Sequence, residues 1–553
     1  VAGFDGGTFD VLRPLAEAGV MPNLAALLRE AVAAPLRSTL PAITPTAWAT
    51  FLTGADPHVH GVWDYRYFAP ASRRTLLADA SRLPLPTLLD AISQQDGEVV
   101  SIDLPMTWPR SPAWRGVVVG GLGSPSTAAA FGPHEEFRRR VVHAGIWYSL
   151  DPIWRHRPQT WEELACLIRR TETAFRARAA VAALADQCCD WRLMIVQFQH
   201  LDGLQHRTWH LLGPPISDPA DPAWCQCVRH AYRTLDDCLG RLLELAAARN
   251  AAVLVVSDHG FGPFEAQIVL PELLARSGLL AFSSLGSRIL QAGTRIGWRL
   301  RKFLRRHVCR ASTAHLPRPV SALANVDWRR TAALTLHGNL AALIYLNTPE
   351  RFGTRTLATP RLREQARQDV LGALEAAHHP ASGEPLFEEF FEPAAIGRDE
   401  ASRSELPDIV AIPAAGFHIR HKTHGDHQLI RPEPMLTGTH RREGMLVCQA
   451  SGLRHGGLDR AELRDIAPTI LRLLNLQPLP TMEGQALFDS PDTCQQTTSA
   501  THVAQAGAAV SPIAVGPTHA SSASDPSRAN GTPLTEREEA AILDRLRDLG
   551  YVE

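Results

Sequence analysis

The chain has 553 residues, 45% of them apolar, and no run of 18 consecutive apolar positions, which excludes a membrane-spanning helix and allows a substantial buried core. A formal net charge of −1 removes any global attraction to nucleic acid or an anionic membrane, so neither is an expected partner. Nine scattered cysteines, two of them adjacent at Cys188 and Cys189, make a poor disulfide framework and lack zinc-finger spacing, so a reducing, cytoplasmic setting is expected.

The chain begins at Val1 without an initiator Met, directly in what reads as the end of a strand, so further residues are expected upstream. Val1 to Phe4 leads into Asp5, Gly6 and Gly7, where Asp5 is either an acidic turn residue or a metal ligand. The run from Thr44 to Gly54 reads as one complete short helix. Thr44 is the N-cap, Pro45 the first helical residue and Gly54 the residue just past the end. The amides of Thr46 and Ala47 are expected to be free there, a helix start suited to phosphate, and a metal-activated Thr44 hydroxyl could attack phosphorus. Simple capping by Thr44 is the alternative.

Short apolar runs follow at Val99 to Ile102, Val117 to Val119, Leu193 to Phe198, Ala252 to Val256, Ile409 to Ile412 and Met445 to Cys448. Their continuous rather than alternating character predicts strands buried on both faces, hence an α/β fold with a mostly parallel central sheet and helices on both sides. In such sheets ligands bind beyond the carboxyl ends of the strands. There stand Asp202 and His206, whose spacing of four puts them on one face of a helix, and Asp258 with His259 after Val253 to Val256. Unpaired ionisable groups at the mouth of a buried strand are costly, so a metal or charge partner is expected.

The stretch from 263 to 435 is expected to be an inserted cap. It contains an Arg-rich helix at Arg288 to Arg310, a strand pair at Thr331 to Leu336 and Ala341 to Leu346, and His418, His421, His424 and His427 in what reads as a solvated polar loop. His440 follows Thr437, Gly438 and Thr439. Residues 490–532 turn to Ala, Ser, Thr, Gly and Pro and are expected to be a disordered linker. The last segment, 533–553, holds an amphipathic helix from Glu536 to Leu549, with Thr535 and Glu538 at capping-box spacing and Ile542, Leu546 and Leu549 on one face. That leaves 1–262 with 436–489 as the catalytic domain.

Together these segments resemble the type I phosphodiesterase and nucleotide pyrophosphatase branch of the alkaline phosphatase superfamily. Phe4, Asp5 and Gly6 match its opening. Pro41, Thr44, Thr53 and Gly54 match the spacing of its nucleophile, and His60 with Gly61 its His, Gly pair. Asp202, His206, Asp258, His259, Gly260 and His440 follow in the family's order. Asp465 to Thr469 and the closing Leu549, Gly550 and Tyr551 resemble motifs of a prokaryotic subgroup.

The resemblance implies that Asp202, His206 and His440 hold one divalent metal and Asp5, Asp258 and His259 another, with Thr44 between them. The metal implied is zinc, with manganese or iron also suiting the ligands. It further implies a phosphohydrolase acting on a phosphorylated small molecule, a phosphodiester or phosphomonoester, through a phosphothreonine at Thr44. Pro45, Thr46, Ala47 and Trp48 depart from the Phe, Pro, Asn, His of the eukaryotic nucleotide-cleaving enzymes, so a nucleotide is not implied. Thr46 is the minority candidate for nucleophile. A threonine argues against a sulfatase, which needs Cys or Ser there. Two alternatives remain: a phosphotransferase or phosphomutase, which shares the first half-reaction, and a non-catalytic, metal-stabilised binding protein.

Overall fold

The computed structural model describes residues 1–212, 222–283, 326–393, 400–423, 427–450, 453, 458–488, 534–549 and 551. An eight-stranded sheet runs in the order Ala461–Glu462, Val32–Arg37, Glu443–Gln449, Val253–Val256, Ala2–Gly3, Trp191–Gln197, Glu98–Leu104, Gly116–Gly120. Ala2–Gly3 lies at its heart, with Ala2 paired in parallel to both Val196 and Val255.

The apolar runs form strands because each has a partner layer on both sides. Val100, Ile102, Val119, Val196 and Val255 pack into one core with the helices Phe9–Glu17, Pro22–Glu30, Trp161–Asp186 and Pro222–Ala248. The alternate residues Val99, Val118, Ile195, Leu254 and Val256 pack into another with Thr44–Thr53, Leu88–Ser93 and Ile466–Leu473. Period-two side-chain alternation thus feeds both faces, and each fully buried Val, Leu or Ile contributes roughly 1.5–3 kcal/mol of transfer free energy.

Two of the expected parallel strands differ. Glu443–Gln449 runs antiparallel to both neighbours. The chain re-enters the sheet there from the carboxyl end of the parallel strands, directly after Gly438–Arg441 pairs with Gly260–Pro263, and without a crossover helix it must run the opposite way. Ile409–Pro413 lies in a separate antiparallel sheet, in the order Ala333–Thr335, Ala342–Leu346, Ile409–Pro413, Phe387–Phe391. The hairpin between Ala333–Thr335 and Ala342–Leu346 matches the expected strand pair.

That second sheet has its own core, from Ile268 through Ile419, to which Trp63 and Phe68 also contribute. The helix Glu536–Leu549 places Ile542 and Leu546 against Ile43, Tyr65 and Leu122. Thr535 and Glu538 cap it reciprocally, through Thr535 N to Glu538 Oε2 at 3.0 Å and Glu538 N to Thr535 Oγ1 at 3.3 Å. The expected Arg-rich helix and the expected linker fall outside the described residues. Among the described residues, no helix is long and apolar enough to cross a membrane.

Candidate active site

Chain segments far apart in sequence bring Asp5, Thr44, Asp202, His206, Asp258, His259 and His440 to the carboxyl end of the central strands. All are buried, His440 being the most exposed at 7%. Asp5 follows the strand Ala2–Gly3 and turns through Gly6, whose φ of +67° and closeness to Phe261 leave no room for a side chain. Asp202 and His206 sit one turn apart on the helix His200–Leu212. Asp258 and His259 follow Val253–Val256, and His440 stands on Gly438–Arg441 opposite Phe261.

Thr44 corrects the expected cap. The N-cap is Ile43 in extended backbone, Thr44 is already helical, and Gly54 ends the helix in the left-handed region at φ +63°. The Thr44 hydroxyl caps nothing and, like that of Thr46, is buried without a hydrogen-bond partner among the described residues. The expected pair of free amides is also corrected, because Ala47 N donates to Ile43 O at 2.9 Å. A helix whose N-cap lies one residue earlier satisfies its amides one residue earlier, leaving those of Thr44 and Thr46 without partners among the described residues. His60 braces this helix from its far side, its Nε2 lying 3.0 Å from Thr50 Oγ1.

The six acidic and imidazole groups form two adjoining triads, and each has one atom fixed by the protein and another aimed at the centre. His206 and His440 face the carbonyls of Gly438 and Ala42 through Nδ1, at 2.8 and 2.9 Å. A carbonyl only accepts, so Nδ1 carries the proton and Nε2 offers a lone pair. These two Nε2 atoms lie 3.2 Å apart, and 3.3 and 3.1 Å from Asp202 Oδ1.

In the other triad Asp5 Oδ2 accepts from Gln197 Nε2 at 2.9 Å, Asp258 Oδ1 accepts from Gly6 N at 3.1 Å, and His259 Nδ1 faces Gly260 O at 3.0 Å. Their remaining atoms, Asp5 Oδ1, Asp258 Oδ2 and His259 Nε2, have no hydrogen-bond partner among the described residues, although His259 Nε2 lies 3.5 and 3.4 Å from the two carboxylates. The stacked rings of His259 and His440, with centroids 3.5 Å apart, join the two triads.

Lone pairs and carboxylate oxygens converging in a buried site repel one another unless a cation lies among them. The protein's own electrostatics register the strain. Burial and the neighbouring Asp258 raise the Asp5 pKa well above the usual carboxylate range, and burial raises that of Asp258 to about 6. Burial acts against the charged form of His259, but Asp258 and Asp5 prevail and push it up to about 9. Asp202 is depressed although burial opposes this, because His206 and His440 surround it. Asp202, His259 and His440, and Asp5, Asp258 and His259, each bring ligand atoms within 4.8 Å of one another, His206 Nε2 lies 3.3 Å from Asp202 Oδ1, and this donor set fits divalent metal ions bound by oxygen and imidazole.

Three neighbours escaped the sequence reading as site residues. Gln197 ends an apolar strand, and a polar residue there was a legible signal. The Tyr65 phenol lies beside Thr44, close enough to interact with its hydroxyl but outside hydrogen-bond geometry, and within the field of Asp5, Asp202 and Asp258; burial raises its pKa well above the usual phenol value. Tyr551, noted only as part of a closing motif, donates from its phenol to Asp202 Oδ2.

The expected solvated histidine loop is corrected in part. His418 and His421 are buried, because strand Phe417–Arg420 pairs with Ala266–Val269 and turns the His418 ring toward Thr439 and His206. His427 is exposed, and His424 lies outside the described residues. A third group of possible ligands, Asp56, His58 and Glu483, is partly exposed and stands apart from these triads.

Among solved structures, the chain resembles human ectonucleotide pyrophosphatase/phosphodiesterase 5 at 14% identity, over 89% of this chain and 98% of that one, with a TM-score of 0.48. It resembles phosphonoacetate hydrolase from Sinorhizobium meliloti 1021 at 17% identity, over 86% of this chain and 95% of that one, also with a TM-score of 0.48. No curated protein matches the chain. Residues 1–442 match the family model of type I phosphodiesterase / nucleotide pyrophosphatase, and the chain therefore belongs to that family of phosphoric ester hydrolases.

Proposed function

We propose that this chain hydrolyses a phosphomonoester or phosphodiester of a small molecule with two divalent cations, zinc for preference, through a phosphothreonine at Thr44. The observation that carries the reading is the convergence of Asp202, His206 and His440 with Asp5, Asp258 and His259 beside the helix start at Thr44, whose buried hydroxyl has no hydrogen-bond partner among the described residues. Asp202, His206 and His440 would hold one cation, and Asp5, Asp258 and His259 the other. When bound, the cations would lower the pKa of the Thr44 hydroxyl and offset charge on the leaving oxygen.

The chain's own groups do the rest. Thr44 Oγ1 attacks phosphorus, the bond to the leaving oxygen breaks, and the threonine carries the phosphoryl group. The amides of Thr44 and Thr46, without partners among the described residues, belong to this helix start and would stabilise phosphoryl oxygens there. Water then attacks the phosphothreonine, returning the hydroxyl and releasing phosphate or the remaining monoester. We further propose 1–262 with 436–489 as the catalytic unit, 263–435 as a cap over it, and a reducing compartment as its setting.

Metal analysis together with a panel of p-nitrophenyl phosphate mono- and diesters, on wild type and Thr44→Ala, tests the proposal. Two bound ions, turnover lost in the variant, and a Thr44 phosphopeptide in acid-quenched wild type are expected. Full turnover in Thr44→Ala would overturn the nucleophile, and folded protein without affinity for metal would overturn the site.

A further inference from the structure

In each candidate ligand, the atom turned away from the centre is held by a neighbour. Five of these neighbours belong to the central sheet and the segments around it: the carbonyls of Gly438, Ala42 and Gly260, the amide of Gly6 and the side chain of Gln197. The sixth comes from the far end of the chain. Asp202 Oδ1 faces His206 and His440, while Oδ2 accepts the phenol hydrogen of Tyr551, 349 positions away in sequence.

The phenol is itself firmly placed. Its ring stacks on Tyr65 with centroids 4.8 Å apart and an interplanar angle of 25°, and it meets the rings of His206 and His440 edge-on at 6.2 Å. Behind it, Tyr551 N donates to Leu546 O at 2.9 Å, and Arg545 Nη1, buried with its helix, donates to Ser124 O at 2.6 Å. Ile542 and Leu546 pack against Ile43, the residue before Thr44.

We propose that Tyr551 is a positioning residue of the Asp202, His206, His440 site, its phenol fixing the Asp202 carboxylate so that Oδ1 faces the cation. The C-terminal helix is thereby part of the metal centre. A carboxylate hydrogen-bonded on one oxygen binds through the other with its rotation already restricted, and loss of such an outer partner typically weakens metal binding about 10- to 100-fold. The inference rests on the two-cation reading above.

Tyr551→Phe tests it in the full chain, because the ring and its stacking on Tyr65 remain and only the hydroxyl is lost. Zinc affinity is read by competition with a chromophoric chelator, and stoichiometry by metal analysis. Wild type should bind two zinc ions; the variant should bind one of them about 10- to 100-fold more weakly and the other as wild type does. In a double-mutant cycle with Asp202→Asn the two losses should be non-additive, because both act on one carboxylate.

Two zinc ions bound by Tyr551→Phe with wild-type affinity would overturn the inference alone. Raised turnover at unchanged affinity would also overturn it, showing the phenol to be a plug. Wild type without zinc affinity would instead overturn the proposed function.

Discussion

Thr44→Val separates a chemical role for this hydroxyl from a structural one. The side chains are nearly equal in volume, so the exchange opens no cavity; what changes is a hydroxyl that is buried without a hydrogen-bond partner among the described residues. Burying such a group costs about 1–3 kcal/mol, and a methyl in its place gains up to about 0.8 kcal/mol of apolar burial. The chelated variant is therefore expected to be about 1–3 kcal/mol more stable than chelated wild type, read as a higher urea midpoint at unchanged slope. Its turnover is expected to fall at least about 10³-fold, the scale of losing a nucleophile. Stability and activity then move in opposite directions, as they do where a site is held ready for chemistry. Thr46→Val removes the other partnerless hydroxyl on this helix and should stabilise similarly while leaving turnover largely intact. A destabilised Thr44→Val that still hydrolyses p-nitrophenyl esters would refute the reasoning; loss of turnover in Thr46→Val alone would transfer the nucleophile to Thr46.

Removing divalent cations with a chelator should lower stability, read as a lower urea midpoint, by about 2.7 kcal/mol for each ion whose starting free concentration is 100 times its Kd, and zinc should restore it; an unchanged midpoint would count against resident metals. Gln197→Leu deletes the donor to Asp5 Oδ2 and should weaken one zinc ion about 10- to 100-fold in the same chelator competition. If this ion and the one weakened by Tyr551→Phe are different, the double variant should lose both. His134 is depressed to about 4 by burial, with Arg110 adding, and its Nε2 accepts from Val118 N at 3.3 Å. A histidine held below its unfolded value stabilises fully above pH 6.5 and loses that contribution as pH falls toward 4. His134→Gln should therefore show a shallower loss of urea midpoint over that range than wild type, and parallel curves would refute the assignment.

The fold was legible wherever a strand is buried on both faces. The runs at Val99, Val117, Leu193 and Ala252 lie in the central sheet because helices cover both sides, and that environment leaves the continuous apolar signature. Strand direction leaves no such mark. Met445 to Cys448 is as apolar as its neighbours, and its antiparallel course follows from where the chain re-enters the sheet. Val32–Arg37 carries Pro35, which blurs its strand pattern; the structure accommodates that proline opposite Met445.

The site divides along a similar line. The six candidate ligands were picked out by their joint order and the resemblance, to which short-range context contributes: a strand end before Asp5 and Asp258, a helical turn between Asp202 and His206, a glycine before His440. Gly438 stands where a β-carbon would come within 2.8 Å of Trp209, Gln205 and Phe261, so the local pattern reports real steric closeness. The atoms that orient these ligands have no comparable local mark. Ala42 and Gly260 act through backbone carbonyls, which any residue supplies. Tyr551 acts from beyond a stretch whose composition sets neither length nor direction, so its distance in sequence from Asp202 carries no geometric information. Sequence patterns therefore expose the candidate ligands. The groups that aim them depend on tertiary packing, and in this chain one of those is placed by the docking of Ile542 and Leu546 beside the proposed nucleophile's helix.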